Sequence, residues 1–167
     1  TLILSPFFLF LIKKRKKNKK TKLKILIIPQ LTRIGDLVCS TPVFRAIKTA
    51  YPNSYLTILI SNKVSGIIKN NIRINEIIVY EDYSFWELTK KIRKENFNWG
   101  FSLSGTSIST ILFLCGLIEN RVKTIRENKP ITEKITDWIN NFKLLYKNHT
   151  YLPKHHLELL KFINILN

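Results

Sequence analysis

Lys24-Ile-Leu-Ile-Ile-Pro-Gln-Leu-Thr-Arg-Ile-Gly-Asp36, followed by Leu37-Val-Cys-Ser-Thr-Pro-Val-Phe-Arg-Ala-Ile-Lys48, reads as a buried strand, a short polar loop carrying one carboxylate, and a helix. Ile25, Leu26, Ile27 and Ile28 form the continuous apolar run of a strand covered on both faces. Pro29 cannot donate to a central ladder, so the strand is expected to end there. Gly35 permits a backbone turn or the close approach of a ligand. Thr41-Pro42 is either a helix N-cap with Pro at the first helical position or a Pro in the early turns of a helix begun at Asp36. Asp36 is either an N-cap itself or a functional carboxylate. In open α/β sheets a loop at the carboxyl end of a strand is where ligands bind.

Outward from this stretch, strands and helices alternate. Strands are expected at Leu23–Pro29, Tyr55–Ser61, Glu76–Tyr80, Trp99–Leu103 and Arg121–Ile125. Helices are expected at Leu37–Ala50, Val64–Asn70, Phe85–Asn96, Ile108–Leu117 (apolar and buried), Thr132–Tyr146 and Lys154–Leu166. Such alternation implies a doubly wound α/β domain with a parallel sheet. It carries neither the Gly-x-Gly-x-x-Gly dinucleotide fingerprint nor a P-loop, so no nucleotide cofactor is expected within it.

The 167 residues suit one domain with a substantial core, and their 45% hydrophobic content excludes a disordered chain. The sequence has no Met and starts with Thr, which suggests a fragment or a start lost upstream. The net charge of +17 raises the question of a nucleic-acid partner. Much of the excess, however, lies in the single run Lys13–Lys24, and no RNP-like aromatic motif, zinc-finger spacing or basic-zipper heptad accompanies it. Nucleic acid is therefore not the expected partner. Cys39 and Cys115 belong to no CxxC, as expected of reduced thiols in a cytosolic protein. His149, His155 and His156 lack the partners of a metal site, and no metal is expected.

Thr1–Ile12 is almost wholly apolar but too short to span a bilayer as a helix. The cationic run follows it, the reverse of a secretory signal. The segment is the end of a longer transmembrane helix, with the basic run on the cytoplasmic side, an interfacial segment whose cations meet anionic headgroups, or an ordinary tail with a basic linker; one of the first two is expected. Both leave the globular part in the cytosol. The division is thus an apolar and basic membrane-proximal segment at 1–22 and a Rossmann-like domain at 23–167.

The order of motifs resembles the N-terminal domain of glycosyltransferase family 9, the ADP-heptose:lipopolysaccharide heptosyltransferases. Lys24-Ile-Leu-Ile-Ile, Ile34-Gly-Asp-Leu-Val, Thr41-Pro-Val-Phe-Arg-Ala-Ile and Tyr51-Pro resemble the family's opening. Asn75-Glu-Ile-Ile-Val-Tyr, Asn96-Phe-Asn-Trp-Gly-Phe-Ser-Leu-Ser-Gly-Thr and His155-His-Leu-Glu-Leu-Leu-Lys-Phe-Ile resemble its third strand, its Gln-Gly-Ser segment and its closing helix. The resemblance runs from about Lys22 to Asn167. It implies the acceptor-binding half of a GT-B enzyme, with the nucleotide-sugar domain absent from these residues and the isolated fragment inactive. It implies Asp36 as the general base of an inverting transfer from a nucleotide-sugar to a lipopolysaccharide core or related anionic glycolipid. Acceptor contacts are expected from Gly35 and Thr41 of the matching motifs, from Arg33 beside the Gly-Asp element, and from Ser104, Gly105 and Thr106 after strand four, at the cytoplasmic face of the bacterial inner membrane. The alternatives are a solvated loop Arg at 33 and simple helix capping at 104–106. Arg121, Lys123 and Arg126 are further basic candidates, although charges in such positions are mostly solvated. Ser102 and Ser104 depart from the family pattern, which has Asp and Gln or His there. The alternative functions are a non-catalytic acceptor-binding module and a basic membrane-associated adaptor.

Overall fold

The computed structural model describes residues 22–147 and 149–165. The expected membrane-proximal segment lies almost entirely outside them. Among the described residues, no helix is long and apolar enough to cross a membrane.

Six strands form one parallel sheet in the order β3-β2-β1-β4-β5-β6. They are β1 (Lys24–Ile28), β2 (Tyr55–Ile60), β3 (Glu76–Val79), β4 (Trp99–Ser102), β5 (Asn120–Arg126) and β6 (Phe142–Tyr146). The helices are α1 (Ile34–Ala50), α2 (Asn62–Ile68), α3 (Phe85–Glu95), α4 (Ser107–Cys115), α5 (Ile131–Asp137) and α6 (Leu152–Glu158).

The apolar run of β1 is explained by its place in the middle of the sheet. Ile25 and Ile27 pack on one face with Phe44 and Ile47 of α1 and with Leu159 and Leu160. Leu26 and Ile28 pack on the other with Ile92 of α3 and Phe113 of α4. Side chains alternate across a strand, so a four-residue apolar run supplies two to each layer. The doubly wound architecture is the expected one.

Three expectations change. First, the helix after β1 begins at Ile34, not Leu37, so Gly35 and Asp36 belong to its first turn. Nothing at Ile34-Gly35 stops a helix whose apolar face begins with Leu37.

Second, residues from Thr132 to Tyr146 are not one helix. α5 ends at Asp137, and β6 follows as an edge strand. Asn140 and Asn141 break the helix. Beyond them Phe142, Leu144 and Tyr146 are partly buried, while Lys143 and Leu145 are exposed. That is period two, with a lysine guarding the edge.

Third, the last helix tightens after Glu158 into a 3₁₀ turn, Leu159–Ile163, which ends at Asn164 in the left-handed conformation. α4 is also only partly buried: Ser109, Thr110, Leu112 and Phe113 face inward, while Ile108 and Ile111 are exposed.

Pro42 lies within α1, where it has no N–H for the carbonyl of Val38, four residues back. The Thr41 hydroxyl donates to that same carbonyl at 2.8 Å. The Thr-Pro pair is thus a local repair of the helix, with neither residue at its start.

Candidate functional site

Strand order reverses at β1, with β2 on one side and β4 on the other. Chains leaving the sheet diverge at such a point, and a crevice opens at the carboxyl ends of the strands. A cleft of about 360 Å³ lies there. Gln30 follows β1, Ser104 follows β4, Arg126 ends β5 and Tyr146 ends β6, and all four line it. Asp36 from α1 and His156 from α6 complete the polar wall.

Asp36 is the third residue of α1, and Arg33 occupies the cap position. Arg33 makes no side-chain cap. Asp36 is therefore not the N-cap. A carboxylate in the first turn is favoured by the helix dipole, which is the bland reason for an acid here. The side chain nevertheless makes no hydrogen bond or ion pair among the described residues. Only its backbone carbonyl is engaged, by the Ser40 hydroxyl at 2.8 Å. A half-buried carboxylate without a partner, facing a cleft with Arg33 beside it, is available to a ligand.

Gly35 does not serve a turn. It is helical, its φ is not positive, and a Cβ built on it meets nothing within 4 Å. Gly35→Ala should therefore leave the fold intact and raise stability by up to about 1 kcal/mol through helix propensity. Thermal unfolding of the two proteins checks this. A loss of ligand binding without loss of stability in that variant would mark close approach of the ligand to α1.

Of the expected site residues, Arg33, Asp36 and Ser104 come together in the cleft. The Ser104 hydroxyl is fully buried and has no hydrogen-bond partner among the described residues. Thr106 caps α4 by position, and its hydroxyl reaches Ser109 at 3.3 Å. Gly105 is buried in a left-handed conformation against Thr124. Thr41, Gly105 and Thr106 do not line the cleft. Neither does Ser102, whose hydroxyl is buried against that of Ser109 inside the fold.

Among the basic candidates near β5, only Arg126 lines the cleft. Arg121 caps the carbonyls of Ile118 at 2.6 Å and Ile139 at 2.9–3.0 Å. Lys123 is 1% exposed and paired with Asp137 at 2.9 Å, so it is a buried structural cation and not a solvated one. Lys129 pairs with the other oxygen of Asp137.

His156 is the member that sequence reasoning passed over. It is 3% exposed. Its Nδ1 lies 3.4 Å from the Cys39 carbonyl and 3.5 Å from the Ser40 hydroxyl. Burial, aided by His155 and Arg126, lowers its pKa to about 4 against the opposing pull of the Cys39 carbonyl and Asp36. Burial also lowers the pKa of His155, whose Nε2 is 3.1 Å from the Thr124 hydroxyl.

The folded protein thus holds His156 neutral where the unfolded chain takes up a proton. Its contribution to stability is complete above about pH 6.5 and is lost as pH falls toward 4. The loss should reach about 3 kcal/mol. Urea unfolding at pH 7 and pH 4.5 should show the drop, and His156→Gln should flatten it.

Fold and site together define a Rossmann-like α/β domain with a polar cleft where its strand order reverses. The same fold is found in several solved glycosyltransferases. ADP-heptose lps heptosyltransferase II of E. coli matches with a TM-score of 0.69 and 16% identity over 82% of this chain and 40% of that one. The glycosyl transferase family 9 structure from Veillonella parvula DSM 2008 matches at 0.70 and 15%, over 89% and 44%. E. coli heptosyltransferase WaaC with ADP matches at 0.66 and 12%, over 83% and 47%. The chain therefore spans less than half the length of these structures, and at such identities the likeness is one of fold. No family model matches the chain, and no curated protein matches it.

Proposed function

We propose that this chain is the acceptor-binding domain of a heptosyltransferase-type glycosyltransferase, with Asp36 as the general base. The observation that carries this reading is the Asp36 carboxylate, without a side-chain partner among the described residues and facing a cleft at the carboxyl edge of the sheet. The heptosyltransferase fold and the motif order of the sequence support it from two other directions. The nucleotide-sugar donor would be held by a separate domain across the cleft.

In the proposed reaction an acceptor hydroxyl attacks the anomeric carbon of the donor sugar. The new C–O bond forms as the bond from that carbon to the nucleoside diphosphate breaks, with inversion. The hydroxyl proton passes to Asp36, and the diphosphate leaves with the electron pair. A single carboxylate suffices, because the acceptor supplies the nucleophile and the leaving group is already good. Arg33 and Arg126 border the same cleft and favour an acceptor that carries phosphate or carboxylate. A net charge of +17 would concentrate the protein at an anionic membrane surface, such as the inner leaflet bearing a lipopolysaccharide precursor.

The test is a titration of the isotope-labelled chain with deacylated lipopolysaccharide-core oligosaccharide, followed by NMR. Shifts should cluster at Arg33, Asp36, Ser104 and Arg126. Shifts that instead follow the Lys13–Lys24 run, fall steeply with salt and appear equally with single-stranded DNA would replace this reading with a basic adaptor.

A further inference from the structure

The polar groups of the cleft can be sorted by what they offer a ligand. Nδ1 of His156 faces two oxygens, the Cys39 carbonyl and the Ser40 hydroxyl. Ser40 gives its own proton to the Asp36 carbonyl at 2.8 Å, so both neighbours of Nδ1 are acceptors. The ring proton therefore belongs on Nδ1, and Nε2 is left as a bare lone pair. Nε2 has no hydrogen-bond partner among the described residues. With Nδ1 turned to Cys39 and Ser40 of α1, Nε2 points to the other side of the ring, and the residue lines the cleft.

Asp36 and Ser40 lie one turn apart on α1, and the Ser40 hydroxyl stands between the Asp36 carbonyl at 2.8 Å and Nδ1 of His156 at 3.5 Å. One wall of the cleft thus presents two neighbouring acceptors, a carboxylate and an imidazole nitrogen. A phosphate or carboxylate has no proton to give them at neutral pH. A divalent cation would need more ligands, and among the described residues no three His, Cys, Asp or Glu side chains are grouped to hold one. What satisfies two adjacent acceptors is a pair of adjacent hydroxyl donors.

We infer that Nε2 of His156 accepts a hydrogen bond from the hydroxyl next to the one held by Asp36, so that this wall of the cleft selects a vicinal diol of the acceptor saccharide. The inference rests on the proposed glycan-binding function and specifies how that site reads its ligand. Arg33 and Arg126 serve anionic groups of the same ligand, and the two acceptors serve its hydroxyls. The imidazole sits on α6 and is fixed from behind by α1, the helix that also carries Asp36, so the packing of these two helices sets the spacing of the two acceptors.

The first measurement is the tautomer of His156 in the wild-type chain at pH 7, from long-range proton–nitrogen NMR. Nδ1 should be protonated and Nε2 bare, and the Nε2 resonance should move when deacylated core oligosaccharide is added. His156→Phe keeps a ring and removes the acceptor, and should weaken binding of that oligosaccharide about tenfold. His156→Gln, whose amide oxygen still accepts, should retain most of the affinity. Oligosaccharide whose vicinal diols have been opened by periodate and reduced should bind wild type and His156→Phe alike.

A proton on Nε2 overturns the inference. So does wild-type binding of the oligosaccharide that is unchanged in His156→Phe, and in both cases the glycan-binding reading stands. Failure of the wild-type chain to bind the oligosaccharide at all overturns both. If His156→Phe does not fold, the tautomer and the ligand-induced shift of Nε2 in the wild type decide the matter alone.

Discussion

Asp36→Asn should lower sugar transfer by about a hundred- to ten-thousandfold while leaving the fold and acceptor affinity nearly unchanged. The amide oxygen of Asn still accepts a hydrogen bond from the acceptor hydroxyl, so binding survives. It does not take up the proton that must leave as the C–O bond forms. The loss corresponds to about 3 to 5 kcal/mol of barrier. The structural cost is small, because the side chain has no partner to lose among the described residues. Removing a charge from the first turn of α1 costs at most about 1 kcal/mol through the helix dipole. The assay uses nucleotide-heptose and core acceptor with a donor-binding domain present, comparing kcat and KM with thermal unfolding of the same samples. A kcat equal to wild type would remove Asp36 from the chemistry and leave it as a helix-terminal charge. Equal losses of kcat and stability would make its role structural.

Much of the arrangement around Asp36 is legible in the sequence because it is local. Four consecutive aliphatics at 25–28 announce a strand buried on both faces, and the alternation that follows announces the parallel sheet. What was not legible depends on partners far along the chain. His156 is fixed by Cys39 and Ser40, which lie 117 and 116 residues away. No short pattern around His155-His156 encodes that contact. The edge strand β6 was hidden for another reason. Phe142-Lys-Leu-Leu-Tyr146 places apolar residues at both helical and strand spacings, and only its pairing with Val122 through Arg126 of β5 selects the strand. Tyr146, at its end, thereby reaches the cleft. The Thr41-Pro42 pair left open a helix start or a Pro inside a helix already begun, and the structure takes the second. The pair's chemistry suits a helix start, yet a hydroxyl one residue before Pro serves equally well to take up the carbonyl that Pro leaves free.

Gly105→Ala should destabilise the domain by about 2 to 5 kcal/mol. Gly105 has φ +73°, where an L side chain costs about 1 to 2 kcal/mol. A Cβ at this position would also lie 2.2 Å from the backbone carbonyl oxygen of Thr124. That oxygen belongs to β5, where Thr124 pairs with Leu144 of β6 one residue beyond the last pair with β4. It has no room to retreat without breaking a ladder, so relief must come from displacing the turn after β4. Overpacking of this kind adds about 1 to 3 kcal/mol. The turn carries Ser104, whose unpaired hydroxyl is buried at the cleft. Displacement would therefore reach the ligand site as well as the fold. Denaturant unfolding measures the first effect, and oligosaccharide binding under conditions where the variant remains folded measures the second. Gly105→Ala should lose affinity along with stability, whereas Gly35→Ala, with open space around its Cβ, loses no stability. That contrast separates a glycine required by the backbone from one required only by a ligand. A Gly105→Ala protein as stable as wild type would mean that the turn after β4 is free to move. The alignment of Ser104 with Asp36 across the cleft would then not be a fixed property of the fold.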